Sequence, residues 1–484
     1  MNGTQYAPMN NKDHIYSRRD ILKLGAASTL IPCFSGPVIA ADQALLDYQL
    51  TAKESGVQLA NDPFPQTVTW SFNNQSPGPL LRLRQGELCR IKVINELAQP
   101  LTVHWHGLRI ANSMDGVPTL TQAPIPPGGE FLYEFTPPDA GTFWYHSHVN
   151  TAEQVGRGLY GPLIVEEKES PPVDRDIVWV LDDWRLDKKA QIIGDFANQR
   201  DLARAGRLGN TVTVNGKIPQ SFPVQPGERI RLRLINAANA RIFALRFQGH
   251  RTLVIARDGQ PVEPYEPGGP IVIGPAQRFD LILDMTEEPG ESYSVIDTQY
   301  SQSPSKLMKI VYNEAPPVQR TPLEAYPGLP ANIIAEPDLS DPHLQLVELS
   351  GGDLGRLKSA QFGDQQLEIT RLYLLGKMWA INDTVNSGYS DVPLFTVQRG
   401  RTVVLEFKNH SAWPHPMHLH GHHFKVLEHS RDREVVGKRL DTVLLGPEES
   451  ARVAFVADNP GSWLFHCHIL GHARAGMMAV FRVT

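Results

Sequence analysis

The short stretch at 466–477, near the C-terminus, constrains the chain more than any other part of the sequence. It opens on His466, Cys467 and His468, so that a cysteine lies between two histidines. The apolar run that precedes it at 462–465 predicts a strand. Because side chains alternate between faces along a strand, the two histidines point to one face and Cys467 to the other. One strand end can therefore serve two metal centres that are joined through the backbone of Cys467.

The same stretch contains most of a blue-copper site. Such electron-transfer sites use one cysteine, two histidines and a weak axial methionine. Cys467, His472 and Met477 supply three of these four ligands. The second histidine must come from elsewhere in the chain.

A repeated pattern of turns and strands predicts the fold class. A turn followed by an alternating strand that ends at an asparagine occurs three times, at 88–95, 229–236 and 402–409. A later turn and strand pair recurs at 127–146, 274–293 and 446–466. The intervals are too long for a solenoid, so we predict an all-β protein with three β-sandwich domains.

Composition sets the domain boundaries and excludes one class of partner. The chain has 484 residues, 39 of them glycine and 39 proline, with a formal net charge of -6, which excludes the basic footprint of a nucleic-acid-binding protein. Prolines mark a boundary at 170–172 and an extended linker further on. The predicted segments are a leader at 1–40, domains at 41–170 and 171–312, a linker at 313–345 and a third domain at 346–484.

The N-terminus has the pattern of an export signal. Arg18 and Arg19 form a twin-arginine motif, and the apolar segment 24–40 ends in small residues, which predicts cleavage after Ala40. The alternative, a membrane anchor, is disfavoured because the segment is short and interrupted by prolines. We expect twin-arginine export machinery as a partner, a periplasmic or secreted monomer, and no membrane contact in the mature form.

Cysteine usage points away from disulfides. The chain contains only Cys33, Cys89 and Cys467, which is too few for a disulfide framework. Cys89 lies in a strand-like run and is predicted to be a buried structural thiol.

Histidines cluster in a way that chance does not explain. Ten of the seventeen fall in four clusters, each with a His-x-His pair that places two imidazoles on one strand face. A structural zinc site is the rival interpretation, but it needs a single closed shell of four ligands. The middle repeat has no such pair. We interpret His422 and His423 as neighbours of the third cluster, and the isolated histidines as packing or surface residues. The clusters are His104 and His106; His146 and His148; His415, His418 and His420; His466, His468 and His472.

Taken together, these four motifs resemble the multicopper oxidases, the family of laccases, bacterial copper-efflux oxidases and bilirubin oxidases. The resemblance covers 41–484 and implies three cupredoxin-like Greek-key β-sandwich domains. It implies four copper ions per chain and no other cofactor, with the three-copper cluster between the first and third domains and the middle domain as a spacer. The implied ligands are His415, Cys467, His472 and Met477 for type 1 copper; His104 and His418 for type 2; His106, His146 and His468 for one type 3 ion; and His148, His420 and His466 for the other.

The resemblance also implies the reaction. A reducing substrate gives single electrons to the type 1 copper, Cys467 passes them on through its histidine neighbours, and O2 is reduced by four electrons to water. Asp115 matches an acid that many members use to deliver protons. The sequence departs from the family at Ala473, where many members carry a glutamate, which puts that part of the proton route in doubt.

Substrate is predicted from what the sequence contains around these motifs. The nine methionines are scattered and form no Cu(I)-binding insertion, which favours a laccase-like oxidase of phenols or aromatic amines. Two alternatives remain: a cuprous or metal-ion oxidase in copper resistance, and a non-enzymatic cupredoxin scaffold, which the complete set of twelve ligands disfavours. Copper nitrite reductases lack this four-pair pattern.

Overall fold

The computed structural model describes residues 46–169, 171–300, 304–319, 326–386, 388–389 and 392–484. The predicted leader at 1–40, with Cys33, and the boundary residue Ser170 lie outside the described residues. Within those residues, no helix combines the length and apolar character needed to cross a membrane.

The first β-sandwich consists of two four-stranded sheets, with strand orders β2-β1-β4-β6 and β3-β8-β7-β5. In β4, buried and partly exposed residues alternate, as expected for a strand with one face on the core. Cys89 is buried on that inner face, as predicted, and its Sγ donates to the Phe135 carbonyl at 3.2 Å. The elements are β1 (Leu46–Val57), β2 (Thr67–Phe72), β3 (Leu81–Arg84), β4 (Cys89–Asn95), β5 (Val103–His106), a 3-10 turn (Asn112–Met114), β6 (Glu130–Phe135), β7 (Gly141–Ser147), α1 (Thr151–Gly156) and β8 (Tyr160–Glu166).

The second β-sandwich pairs a six-stranded sheet, β10-β9-β12-β17-β14-β15, with a five-stranded sheet, β11-β19-β18-β13-β16. Aliphatic and aromatic side chains of both sheets fill the space between them. Its elements are β9 (Arg175–Trp184), α2 (Gln199–Leu202), β10 (Thr211–Val214), β11 (Ser221–Val224), β12 (Arg229–Asn236), β13 (Phe243–Phe247), β14 (Thr252–Arg257), β15 (Gln260–Tyr265), β16 (Ile271–Ile273), β17 (Arg278–Asp284), β18 (Ser292–Asp297) and β19 (Ser305–Tyr312).

The third β-sandwich repeats this plan, with sheets β23-β20-β25-β30-β27-β28 and β24-β32-β31-β26-β29 and a separate hairpin, β21-β22. Its core contains Cys467 and Met477 among the aliphatic side chains. Its elements are β20 (His343–Gly351), β21 (Ser359–Phe362), β22 (Gln365–Glu368), α3 (Ile369–Leu374), β23 (Trp379–Ile381), β24 (Phe395–Val397), β25 (Thr402–Asn409), β26 (His415–Leu419), β27 (Phe424–His429), β28 (Arg439–Leu440), β29 (Thr442–Leu445), β30 (Ser450–Val456), β31 (Gly461–Cys467), α4 (Leu470–Arg474) and β32 (Met478–Val483).

The predicted all-β fold with three cupredoxin-like Greek-key sandwiches is confirmed. Two of the repeated strands coincide with β12 and β25, and the third begins one residue later than predicted, as β4. β19 ends at Tyr312 and β20 begins at His343, so the first strand of the third sandwich starts inside the range predicted as linker. The described residues between these strands form neither helix nor strand.

A buried ionic network fixes β7, the strand that carries His146, to the second sandwich. Thr142 Oγ1 donates to Asp280 Oδ1 at 2.6 Å and accepts from Arg233 Nη1 at 2.9 Å. Arg231 Nη2 also donates to Asp280, at 2.6 Å, so that one buried carboxylate is shared by two guanidinium groups. The network holds a histidine-bearing strand of the first sandwich at a fixed place on the second.

Candidate metal centres

Strand register places the paired histidines opposite one another. In the first sandwich, β5 and β7 pair antiparallel with His104 opposite His146. In the third sandwich, β26 and β31 pair antiparallel with His418 opposite His466. Residues two apart on a strand share a face, so each pair of strands presents four imidazoles on one side.

Imidazoles from the first and third sandwiches meet in a single buried cluster. All eight rings of the His-x-His pairs are at most 2% exposed. Rings from different sandwiches stack: the centre of His104 lies 3.9 Å from that of His420, and the centre of His106 lies 3.7 Å from that of His418. The structure thus brings together the four pairs that the sequence singles out.

Hydrogen bonds in this cluster hold the proton of several imidazoles on Nδ1. The Nδ1 atoms of His104, His146, His418 and His466 each lie 2.8–3.0 Å from a backbone carbonyl oxygen, which only an N–H can approach. Their Nε2 atoms therefore carry lone pairs. His420 likewise donates from Nδ1, in this case to a carboxylate oxygen at 2.9 Å. This is the outer support that orients metal-binding histidines.

The unprotonated nitrogens of these rings face one another, and no hydrogen-bond donor lies between them. The Nε2 atoms of His420 and His466 lie 3.2 Å apart, although both Nδ1 atoms carry the proton. Seven further buried ring nitrogens in the cluster have no hydrogen-bond partner: His104 Nε2, His106 Nδ1, His146 Nε2, His148 Nε2, His418 Nε2 and both nitrogens of His468. Facing lone pairs repel unless a cation lies between them. The donor set therefore fits several metal ions, and neutral imidazole suits copper.

Burial keeps these imidazoles in the form that binds metal. Desolvation lowers the pKa of His466 to about 3, and it lowers the pKa of His146, His148 and His420 well below the usual value. The neighbouring imidazoles act in the same direction. The rings are therefore neutral at physiological pH and need lose no proton to bind a cation.

A second, smaller constellation lies on the other face of β31. Cys467 Sγ is 3.5 Å from His415 Nδ1 and 3.6 Å from His472 Nδ1, and the two Nδ1 atoms are 3.1 Å apart. These three atoms form a triangle of the size that surrounds one ion. Met477 is fully buried in the same core, and its carbonyl accepts from the Cys467 N–H at 3.1 Å.

The outer contacts of this constellation also direct lone pairs inward. His472 donates from Nε2 to the Arg204 carbonyl at 2.6 Å, and His415 Nε2 lies 2.9 Å from Ser411 Oγ. Burial raises the pKa of the Cys467 thiol, so a thiolate is stable there only beside a positive charge. A bound metal ion supplies that charge.

Asp115 lies between the two sandwiches, in contact with both. Its Oδ2 accepts from His420 Nδ1 at 2.9 Å, and its Oδ1 is 3.2 Å from His104 Nδ1. The loop that carries it passes so close to β5 that a Cβ on Gly116 would lie 1.8 Å from the Val103 carbonyl oxygen. Gly116, with φ of +80°, therefore fixes the position of the carboxylate.

Sequence reasoning missed Asp441 and Arg278. Asp441 Oδ1 is 3.3 Å from His106 Nε2, and its carbonyl accepts from His418 Nδ1. Arg278 binds both carboxylate oxygens of Asp441, at 2.8 and 2.6 Å. Burial alone would raise the pKa of Asp441, but the guanidinium and His106 hold it well below its usual range. An aspartate within an apolar strand-like run was the only sequence signal.

The interpretation of the middle sandwich as a spacer is incomplete. It supplies no histidine to either constellation. However, Arg278 lies on β17 and Arg204 follows α2, and these two residues contact Asp441 and His472 of the third sandwich, one at each constellation. Ala473, the departure noted in the sequence, lines a cavity of about 230 Å³ together with His148, His466 and Tyr389.

Three stacked β-sandwiches, a buried polyimidazole cluster and a cysteine–histidine triangle define a copper-dependent oxidoreductase. Sequence models of multicopper oxidase domains match residues 55–170, 175–315 and 364–484. The chain belongs to the multicopper oxidase family.

Known relatives cover nearly the whole chain. It is 31% identical to the multicopper oxidase MmcO of Mycobacterium tuberculosis, over 96% of this chain and 95% of that protein. It is 30% identical to Laccase-1 of Fomitopsis schrenkii, over 87% and 83% of the two chains. The crystal structure of a multicopper oxidase from Pseudomonas thermotolerans superposes with a TM-score of 0.80 and 34% identity, covering 92% of this chain and 100% of that one.

The metal-free protein is expected to lose stability as pH falls below about 6.5. The pKa of nine of the ten candidate histidine ligands is lowered by burial in the folded state, to about 3 for His466 and His472. Below the unfolded-state pKa the unfolded chain binds more protons, so each ring costs up to about 1.4 kcal/mol per pH unit. Urea unfolding of chelator-treated protein at several pH values between 5 and 8 measures this slope. H472Q should flatten it by about one proton, and a stability that stays constant down to pH 5 would contradict the burial argument.

Proposed function

We propose that the protein is a laccase-like oxidase, which takes single electrons from phenols or aromatic amines and reduces O2 to water. The observation that carries the proposal is that one strand, β31, contributes to the polyimidazole cluster from one face and to the cysteine–histidine triangle from the other. Copper ions bound at these constellations supply the one-electron redox chemistry. Four ions per chain account for the two sets of donors.

The ligand roles are proposed from the resemblance to the family, and the grouping of donor atoms supports two of the four sets. His415, Cys467 and His472, with Met477 as axial ligand, are proposed to hold the type 1 ion; the triangle of the first three supports this. The polyimidazole cluster is proposed to hold three ions. Close approach of the ring nitrogens of His148, His420 and His466 supports one type 3 set. The other proposed sets are His106, His146 and His468 for type 3, and His104 and His418 for type 2.

Cys467 is proposed to be the electron route between the constellations. Its side chain enters one constellation, and the two residues bonded to it, His466 and His468, enter the other. His466 also donates from Nδ1 to the Cys467 carbonyl at 2.9 Å. Every step of the route is therefore a covalent bond or a short hydrogen bond within three consecutive residues.

Asp115 is proposed to manage protons at the cluster. Its carboxylate contacts the Nδ1 protons of His104 and His420, one from each sandwich. The carboxylate holds both rings with their lone pairs inward. Asp115 is a buried acid in contact with the cluster, where O2 reduction would consume protons, so this proton role does not require a glutamate at the position of Ala473.

The proposed setting is the periplasm, after export by the twin-arginine machinery that recognises the motif at Arg18 and Arg19. Scattered methionines give no Cu(I)-binding segment, and this favours organic donors. The similarity to Laccase-1 of Fomitopsis schrenkii supports the same choice. A cuprous oxidase in copper resistance remains the alternative.

Oxygen uptake with a panel of donors tests the substrate class. The copper-loaded protein is expected to consume O2 faster with a phenol and an aromatic amine than with Cu(I) or Fe(II) at equal concentration. An oxygen electrode measures each initial rate, corrected for the uncatalysed reaction. A rate that is highest with Cu(I) would replace the laccase-like proposal with the cuprous oxidase alternative.

Replacing the thiolate ligand tests the electron route. C467S should remove the blue absorption and nearly all turnover, because serine cannot form the copper–thiolate bond, while far-UV circular dichroism stays unchanged. C89S is the matched control: that thiol is equally buried but only donates to the Phe135 carbonyl, so colour and activity should persist. An active, colourless C467S protein would refute the route.

Removing the Asp115 charge tests its proton role. D115N should slow steady-state O2 reduction by about 100-fold, the lower end of the usual contribution of proton transfer. Anaerobic bleaching of the blue colour by a donor should keep its wild-type rate. D139N, at a buried carboxylate that Arg109 holds in the same sandwich, should affect neither rate. Equal losses in the two variants would show a general structural effect instead.

A further inference from the structure

A cavity of about 490 Å³ opens between the second and third sandwiches. Ile242 and Val272 line it from the second sandwich, and Pro414 and Leu444 line it from the third. Its volume lies in the range of cavities that hold small organic ligands. None of its lining residues belongs to the proposed copper ligands.

A buried cation in the cavity wall lacks an acidic partner. Arg257 is 5% exposed, and its guanidinium carbon lies 4.4 Å from the centre of the Phe279 ring. Among the described residues, no carboxylate oxygen lies within 4.0 Å of its side-chain nitrogens. The other buried arginines among the described residues each lie within 4.0 Å of an aspartate oxygen: Arg207, Arg229, Arg231, Arg233 and Arg278. Buried charges are ordinarily paired, so an anion is expected at Arg257.

The other charged residues that line the cavity do not supply the anion expected at Arg257. Arg431 also lines the cavity and has no carboxylate within 4.0 Å among the described residues. Asp432 and Glu449 line it as well and carry negative charge, but among the described residues neither carboxylate lies within 4.0 Å of the side-chain nitrogens of Arg257. Asp432 Oδ1 accepts from the Glu434 N–H at 2.9 Å, and Glu449 Oε2 accepts from the Gly446 N–H at 2.8 Å.

We propose that this cavity binds an aromatic carboxylate, with its ring against Val272, Pro414 and Leu444 and its carboxylate on Arg257. The planar guanidinium fork matches a carboxylate in two parallel hydrogen bonds. The aliphatic walls match the face of a ring.

The position of the cavity gives the ligand a role, and this step rests on the proposed function. Pro414 is bonded directly to His415, a proposed type 1 ligand. The register of β26 and β29 pairs His415 with Leu445 and Pro416 with Leu444, so Leu444 in the cavity wall and the His415 ring lie on opposite faces of the sheet. A phenolic carboxylate held here is therefore separated from that ligand by the strand backbone. It gives one electron to the type 1 centre and its hydroxyl proton to water, and leaves as a phenoxyl radical. The electrons reach O2, the acceptor of the proposed reaction.

Binding of benzoate, which cannot serve as a phenolic donor, tests the site separately from turnover. Isothermal titration of the copper-loaded protein should show one benzoate site. R257Q should weaken it at least 10-fold, and R257K should weaken it less than R257Q because the charge remains. R246Q removes an exposed arginine of the same sandwich and should leave affinity unchanged. Absence of benzoate binding, or equal binding by R257Q, would overturn the proposal.

A steric variant keeps the test valid if R257Q fails to fold. Val272 is 41% exposed at the cavity rim, so V272W fills the cavity without disturbing the core, and benzoate affinity should fall at least 10-fold. V68W, at a strand position of the first sandwich that is 55% exposed, is the matched control and should bind benzoate normally. Normal binding by V272W would place the ligand elsewhere.

Kinetics with a phenolic acid and its methyl ester test the donor role. Vanillate and methyl vanillate differ only in the charge that Arg257 would bind. R257Q should lower the ratio of their kcat/KM values, acid over ester, about 10-fold, mainly through KM. An unchanged ratio would overturn the placement of the donor in this cavity. If the wild-type protein oxidised neither compound, the proposed function would fail, and benzoate binding would still decide the site.

Discussion

Repulsion between buried imidazole lone pairs is the constraint on which the rest of the structure depends. His420 and His466 point unprotonated nitrogens at each other across 3.2 Å, in a cluster from which water is excluded. Metal ions turn this repulsion into coordination, so copper binding and folding are thermodynamically linked. The surrounding carbonyl and carboxylate groups hold the protons of five of these rings on Nδ1, so that Nε2 is left as the lone-pair donor. The first and third sandwiches must meet at this point because each supplies only four of the eight rings.

Local patterns in the sequence predicted the sandwiches and the histidine pairs, but not the groups that orient them. An alternating strand is visible in its own residues, which is why 229–236 and 402–409 were predicted with the bounds that β12 and β25 have. The two histidines of a His-x-His pair on a strand likewise share one face, and this can be predicted from the pair alone. Asp441 and His106 are more than 300 positions apart in the sequence, and no local pattern around either residue predicts their contact. Proximity between sandwiches is a property of the assembled chain.

The same reasoning explains why the middle sandwich was underestimated. Its lack of histidines is a true sequence signal, and it led to the interpretation as a spacer. Arg278 nevertheless neutralises Asp441 at the polyimidazole cluster, and the Arg204 carbonyl accepts the His472 proton at the other constellation. Both contacts act on protons instead of metal, so a search for ligands overlooks them. The middle sandwich thus keeps Asp441 ionised beside His106 and holds the His472 proton on Nε2.

The Arg204 contact also limits how an electron donor can approach the cysteine–histidine triangle. His472 is fully buried, its Nε2 is occupied by the backbone carbonyl, and Trp379 covers its ring with centres 4.3 Å apart. A phenol therefore finds no free imidazole edge at His472 with which to form a hydrogen bond. The other histidine of the triangle follows Pro414, which faces the cavity that contains Arg257. His415 is equally buried, with its Nε2 2.9 Å from Ser411 Oγ and its ring centre 4.8 Å from that of Trp379. A bound donor therefore contacts neither imidazole directly, so an electron from the cavity has to cross the backbone at Pro414 and His415, and Arg257 in the cavity wall favours donors that carry a negative charge.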